Sequence, residues 1–138
     1  QKKTEEILER TEEAQVLNME GDTIWENETF RTCIFPYSGE KILEKKYTKW
    51  LDCDKINCEL SVRTRRSGDY MIVNQSGGRK KLTRCMIDDK IPGEIRQEIP
   101  LVAAKDEILW IVGGRISERY KITSQTEKVL EITYQGEA

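Results

Sequence analysis

Between residues 63 and 84 the chain gathers Arg63, Arg65, Arg66, Arg79, Lys80, Lys81 and Arg84. The first three close a stretch in which Cys58, Leu60, Val62 and Thr64 alternate with Glu59, Ser61, Arg63 and Arg65. That period of two sends the arginines to the face opposite the apolar residues. The other four follow Gly77-Gly78 at the head of the segment Arg79 to Lys90, where Leu82, Cys85 and Met86 obey the i, i+3, i+4 rule of an amphipathic helix. At about 100° per residue, Lys80 and Arg84 fall nearly opposite that apolar stripe. Ile87 fits the stripe poorly and is expected to pack under the following loop. Three cations in a first helical turn have the wrong sign for the helix dipole, at up to about 1 kcal/mol each. Free backbone N–H groups at a glycine-led helix start favour an anion. Together these features point to a phosphate partner, gripped by charge with little regard for base identity.

Other chemistries fall away. The chain has no histidine, which removes Ser-His-Asp and Cys-His nucleophile pairs and histidine metal sites. Ser76-Gly77-Gly78 opens like the S-G-G-x-D-S pyrophosphate loop of adenylating enzymes, but Arg79-Lys80-Lys81 follows, without the needed Asp and Ser. Neither G-x-x-x-x-G-K-[ST] nor G-x-G-x-x-G occurs. No catalytic residue and no cofactor is therefore expected within this chain. Cys53 and Cys58 have a spacing seen in structural zinc sites, yet no second close pair exists. The expectation for Cys33, Cys53, Cys58 and Cys85 is free, buried thiols and no metal. Asp52/Asp54 and Asp88-Asp89 are expected in salt bridges or turn hydrogen bonds. Trp25, Trp50 and Trp110 could stack on bases, but their apolar neighbours favour the core.

Charge is unevenly spread. The net charge is −2, but residues 63–96 hold 9 basic and 4 acidic side chains, a balance of +5. Residues 1–62 stand at −5 and residues 97–138 at −2. A basic island in an acidic chain matters more to a polyanion than the total does. At 138 residues the chain suits one domain, and no apolar run reaches the roughly 18–20 residues that span a bilayer. No signal peptide opens the chain and Gln1 is not an initiator methionine. A piece cut from a longer cytoplasmic protein is the expectation.

Strands must position the basic island. Thr23–Trp25, Phe30–Phe35 and Tyr47–Cys53 are rich in β-branched and aromatic residues, as are Leu101–Ala104, Ile108–Val112 and Val129–Tyr134. Turn residues separate them at Glu20-Gly21-Asp22, Pro36 to Gly39, Ser67-Gly68-Asp69 and Gly113-Gly114. Residues 2–15 read as a polar helix, with a Glu6–Arg10 pair, or as a frayed entry segment. Residues 1–20 are taken as a linker or the end of a preceding domain, and 21–138 as the domain proper. The fold class is α+β: a strand-rich, sandwich-like domain with one basic helix.

The basic stretch and its sequel carry a resemblance. In order come Val62-Arg63-Thr64-Arg65-Arg66, Gly68-Asp69, Gly78 and Lys80-Lys81-Leu82, then Ile87-Asp88-Asp89-Lys90-Ile91-Pro92 and Arg96. Ile99-Pro100, Ile108 to Gly113, Arg115-Ile116-Ser117 and Tyr120-Lys121 follow. Over roughly residues 50–132 this string resembles the C-terminal domain of tRNA(Ile)-lysidine synthetase. The resemblance implies a fold shared with a domain of the phenylalanyl-tRNA synthetase β subunit. It implies an N-terminal catalytic domain, absent here, that uses ATP with Mg to adenylate the wobble cytidine of tRNA(Ile) with a CAU anticodon, after which lysine displaces AMP. The C-terminal domain would grip the tRNA acceptor stem beside its own catalytic domain, with a homodimer left open. Arg63, Arg65, Lys80, Lys81, Lys90, Arg96 and Arg115 fall on basic positions of the family pattern, while Arg66, Arg79 and Arg84 rest on the residue reading. Arg63 and Arg65 would line one wall of the RNA site and the helix with Lys80, Lys81 and Arg84 the other. Docking would use phosphates and ribose hydroxyls, because the A-form major groove is too narrow for side chains. A domain that only packs on the catalytic domain is the alternative. The chain departs from the pattern at Tyr70 and Gly93, where arginine is usual, and at Val73-Asn74-Gln75-Ser76.

Overall fold

The structure, a computed structural model, describes residues 14–42 and 45–136. The alternating segments form two sheets. In the smaller, β2 (Gly21–Trp25), β3 (Glu28–Pro36), β4 (Thr48–Asp52) and β10 (Lys128–Gln135) run antiparallel in the order β2-β3-β10-β4. The larger contains β1 (Gln15–Val16), β5 (Ser61–Arg63), β6 (Tyr70–Ile72), β7 (Arg79–Lys81), β8 (Leu101–Ala104) and β9 (Glu107–Ile111). Its order is β1-β5-β8-β9-β6-β7, with β6 parallel to β9 at Tyr70↔Glu107. The proposed polar helix over 2–15 lies, up to residue 13, outside the described residues. Gln15 and Val16 pair with β5, and Leu17 is buried in the core.

Period-two patterning gives each sheet an apolar face, and the larger sheet has two. Val62, Val102, Ala104, Leu109 and Trp110 meet Trp25, Phe30, Leu51, Leu130 and Ile132 of the smaller sheet. Met71, Leu101, Ala103, Ile108 and Ile111 point the other way, onto helix α1 (Leu82–Asp88) through Leu82, Cys85 and Met86. A register shift between Val102 and Ala103 lets consecutive Leu109 and Trp110 both enter the inter-sheet core, while Ile108 and Ile111 stay with the helix. The layers run sheet, sheet, helix.

The helix is shorter than its sequence pattern suggests. Arg79-Lys80-Lys81 forms strand β7, paired antiparallel with β6, and helical geometry begins only at Leu82, whose N–H donates to the Asp69 carbonyl. At its other end the Lys90 N–H donates to Ile87 and the Ile91 N–H to Met86, with Lys90 at φ 61°. This is a Schellman stop with lysine in the place usually held by glycine. Ile91 then packs on the helix layer, whereas Ile87 stands exposed rather than under the following loop. The thiols also differ from expectation. Cys85 is buried, but Cys33 and Cys58 are exposed and Cys53 is half-buried.

Between β5 and β6 the chain crosses β8 and β9, three strand spacings or about 14 Å. Residues 64–69 make that crossing, and a buried ion pair holds it. Arg63 is 1% exposed; its Nη1 and Nη2 donate to Asp69 Oδ2 and Oδ1 at 2.9 and 2.8 Å. They also donate to the carbonyls of Thr64 and of Lys105 in the β8–β9 turn, and Asp69 accepts the Arg66 backbone N–H. Arg63→Met leaves a buried carboxylate without its counter-charge, so denaturant unfolding should report a loss of about 3–5 kcal/mol. The double variant Arg63→Met/Asp69→Leu should recover part of that loss, because no lone charge remains inside.

Candidate nucleic-acid interface

The cationic residues form two groups with opposite fates. Those facing the helix layer are matched by carboxylates. Lys80, on the same side of the β6–β7 hairpin as Met71, reaches Asp88. Arg84, exposed on α1, lies 3.5 Å from the same carboxylate. Arg115 grips Asp89 with two hydrogen bonds of 2.8 and 2.5 Å. The hydrogen bond from Lys80 holds the Asp88 carboxyl below the ordinary aspartate range, and the bond to Asp89 raises Arg115, keeping it charged. Beneath them, burial pushes the Cys85 thiol up. Asp88 and Asp89 thus serve in ion pairs, while Asp52 accepts a turn hydrogen bond from the Asp54 N–H and the two carboxylates also accept long-range bonds from the Thr126 hydroxyl and the Glu127 N–H.

The second group lies on the hairpin's opposite face. Strand pairing sets Tyr70 beside Lys81 and Ile72 beside Arg79, and the Arg79 guanidinium covers the Tyr70 ring at 4.2 Å. Tyr70, one of the departures from the family pattern, thereby seats an arginine. Arg65, Arg66, Tyr70, Lys81, Thr83 and Gln97 line a cleft of about 750 Å³. Asp69 also borders it, but its carboxylate is taken by Arg63 and the Arg66 N–H. Arg65, Arg79 and Lys81 form no ion pair among the described residues.

The two-walled arrangement expected from sequence therefore needs correcting. Arg63 is sealed inside the protein and is removed from any interface. Lys80 is a strand residue turned toward the helix. Lys81 and Arg79 belong to the strand as well, so no trio of cations sits in a helical turn. Gly77-Gly78 is the tip of the β6–β7 hairpin, with the Gly78 N–H given to Asn74 Oδ1 and the Gly77 N–H to the Asn74 carbonyl. Those donors are already used, which also argues against a nucleotide-phosphate loop here. Lys90 is exposed at the helix stop. Arg96 is half-buried, its Nε donating to the Ile91 carbonyl at 2.8 Å.

Sequence reading missed other cations that the fold brings alongside. Lys55 and Arg119, from the 3-10 turns Cys53–Lys55 and Glu118–Tyr120, join Arg79 and the hairpin tip around a second cleft. Lys49 and Lys121 join Arg115 around a third, which Trp50 also lines. Trp25 and Trp110 are buried as expected, but Trp50 is only half-buried.

Comparison with known proteins identifies the family and the fold. Residues 60–132 match the family described as TilS substrate C-terminal domain. The chain is 43% identical over 98 residues to a tRNA(Ile)-lysidine synthase of Clostridium perfringens, covering 71% of this chain and 21% of that protein. It is 47% identical over 92 residues to one from Caldanaerobacter subterraneus subsp. tengcongensis, covering 67% and 20%. The chain thus spans about a fifth of the length of these curated relatives. A crystal structure of a TILS C-terminal domain superposes with a TM-score of 0.70 at 25% identity, over 90% of this chain and 96% of that one.

A carboxylate held below its ordinary pKa adds stability at neutral pH and loses it as pH falls through the folded value. Carbon-13 NMR of the Asp88 carboxyl should therefore show titration below that of a free aspartate, and Lys80→Ala should move it back up.

Proposed function

The chain belongs to the TilS substrate C-terminal domain family, and from that premise we propose that it grips the acceptor stem of tRNA(Ile) for a tRNA(Ile)-lysidine synthase. The remainder of that enzyme, in this reading, carries the ATP-dependent ligase chemistry that installs lysine on the wobble cytidine. ATP and its Mg belong there. The Gly77-Gly78 turn, which opens like a pyrophosphate loop, has its N–H groups engaged by Asn74.

The observation that carries the proposal is the cleft with Arg65, Arg66 and Lys81, flanked by Arg79 on Tyr70. Cations facing carboxylates have little left to offer a phosphate; Arg65, Arg79 and Lys81 form no ion pair among the described residues. A-form RNA presents phosphates and 2′-hydroxyls along a wide, shallow minor groove, which suits a cleft of long basic side chains over a tyrosine. The rigid crossing loop lowers the entropic cost of holding Arg65 and Arg66 ready.

A second reading, a domain that only packs against its own enzyme, draws on a different surface. Tyr47, Ile91, Pro92, Ile95 and Ile99 line an apolar cleft, and Tyr47 and Ile95 are exposed. Binding of tRNA at several salt concentrations separates the two. With Arg65→Glu/Lys81→Glu, affinity should fall for all tRNAs alike, and the slope of log K against log salt should shrink by about one for each phosphate no longer neutralised. Lys80→Ala, which removes a cation already held by Asp88, should leave the slope unchanged. No retention of tRNA by the unaltered chain at low salt would overturn the RNA reading and leave the packing one.

A further inference from the structure

We infer that the pocket at Trp50 receives an unpaired nucleobase of the bound RNA, so that the domain reads a junction between duplex and single strand. This rests on the RNA-binding reading and extends it to a second, chemically different site. The walls are part apolar and part charged: Ile42, Ile72, Val73, Ile116 and Ile122 join Trp50 around a cavity of about 440 Å³, with Lys49, Arg115, Glu118 and Lys121 completing the lining, within the range of small-ligand sites. Of the apolar residues all but Ile72 are only partly buried, so the pocket keeps apolar surface in contact with water. Trp50 is fixed in place. Its Nε1 donates to Glu131 at 2.9 Å, and its ring meets Phe35 edge-on at 5.0 Å. A ring locked this way loses little entropy when a base stacks on it.

Charge identifies the occupant. Lys49 stands at the pocket with no ion pair among the described residues. Beside it, the Lys121–Glu118 and Arg115–Asp89 pairs supply both donors and acceptors. A slot that combines aliphatic and indole surface with an unpaired lysine fits a flat base joined to a phosphate. A base in a duplex is stacked on both faces and cannot enter a concavity, whereas an unpaired one can be splayed out onto an aromatic ring.

Position supports the same occupant. The Trp50 pocket shares Ile72 and Glu118 with the cleft of Lys55, Arg79 and Arg119. Arg79 in turn stacks on Tyr70, which lines the cleft of Arg65 and Lys81. Arg79 thus links the duplex grip to the slot, with Lys55 and Arg119, paired to Asp52 and Glu107, beside it.

The test compares a blunt RNA hairpin with the same hairpin carrying a single-stranded extension on one strand or the other. The extension should tighten binding about tenfold, the scale of one base–aromatic stack. It should also quench tryptophan fluorescence, because Trp25 and Trp110 are buried and Trp50 is the open indole. Trp50→Phe should lose the quench. Lys49→Ala, which spares the Phe35 and Glu131 interactions, should shrink the gain from the extension. AMP alone should quench only at far higher concentration than the extended hairpin; quenching at equal concentration would overturn the strand-end assignment in favour of a free nucleotide. Equal affinity for blunt and extended hairpins overturns the pocket but not the RNA grip. Failure to bind either hairpin at low salt overturns both.

Discussion

Two opposite charges sealed from water, Arg63 and Asp69, hold the ends of a chain segment that must cross two strands of the larger sheet. Only arginine can do this from the end of β5. It has the reach, and its fork satisfies a bidentate carboxylate and two backbone carbonyls at once. Desolvating both ions is costly, and the return comes largely as geometry rather than net stability. The clamp pins both ends of the crossing loop, which carries Arg65 and Arg66. Asp69 also sets the helix in register, since its carbonyl caps the Leu82 N–H.

From that clamp follows the division of the basic island into two populations. The β6–β7 hairpin starts directly after Asp69, and its alternation sends Lys80 toward the helix and Arg79 and Lys81 away from it. Asp88 and Asp89 then neutralise the helix side. What sequence presents as one positive run is, in three dimensions, a neutral seam and a charged face. Total charge could not have revealed this, because alternate residues of one strand belong to different electrostatic environments.

Much of the fold was legible in the chain. The smaller sheet and the β8–β9 pair announce themselves through β-branched and aromatic alternation, and the apolar triad Leu82, Cys85 and Met86 fixed the helix face. The β6–β7 hairpin was hidden for physical reasons. Three-residue strands carry too few positions for a period, and three consecutive cations carry no strand signal at all. Arg63 misled because it obeys the polar phase of β5, while its partner arrives only when the loop closes six residues later. Lys49, Lys55, Arg119 and Lys121 escaped notice because β4 and two 3-10 turns bring them to the hairpin from distant parts of the chain. Their sequence neighbours include acids, which masks their shared side. Trp50 beside Leu51 reads as core, yet alternation puts it on the opposite face of β4, beside Glu131 and Phe35.

Strand β7 has one more consequence. Among the described residues it is one of the two edge strands of the larger sheet, and an unpaired sheet edge is an invitation to another chain's backbone. Here the edge is three residues long and made only of Arg79, Lys80 and Lys81. A second copy approaching edge to edge would bring like charges together across the ladder, so the sheet is guarded against self-propagation. A polyanion feels the opposite force at the same place, and the composition that welcomes one kind of polymer turns the other away.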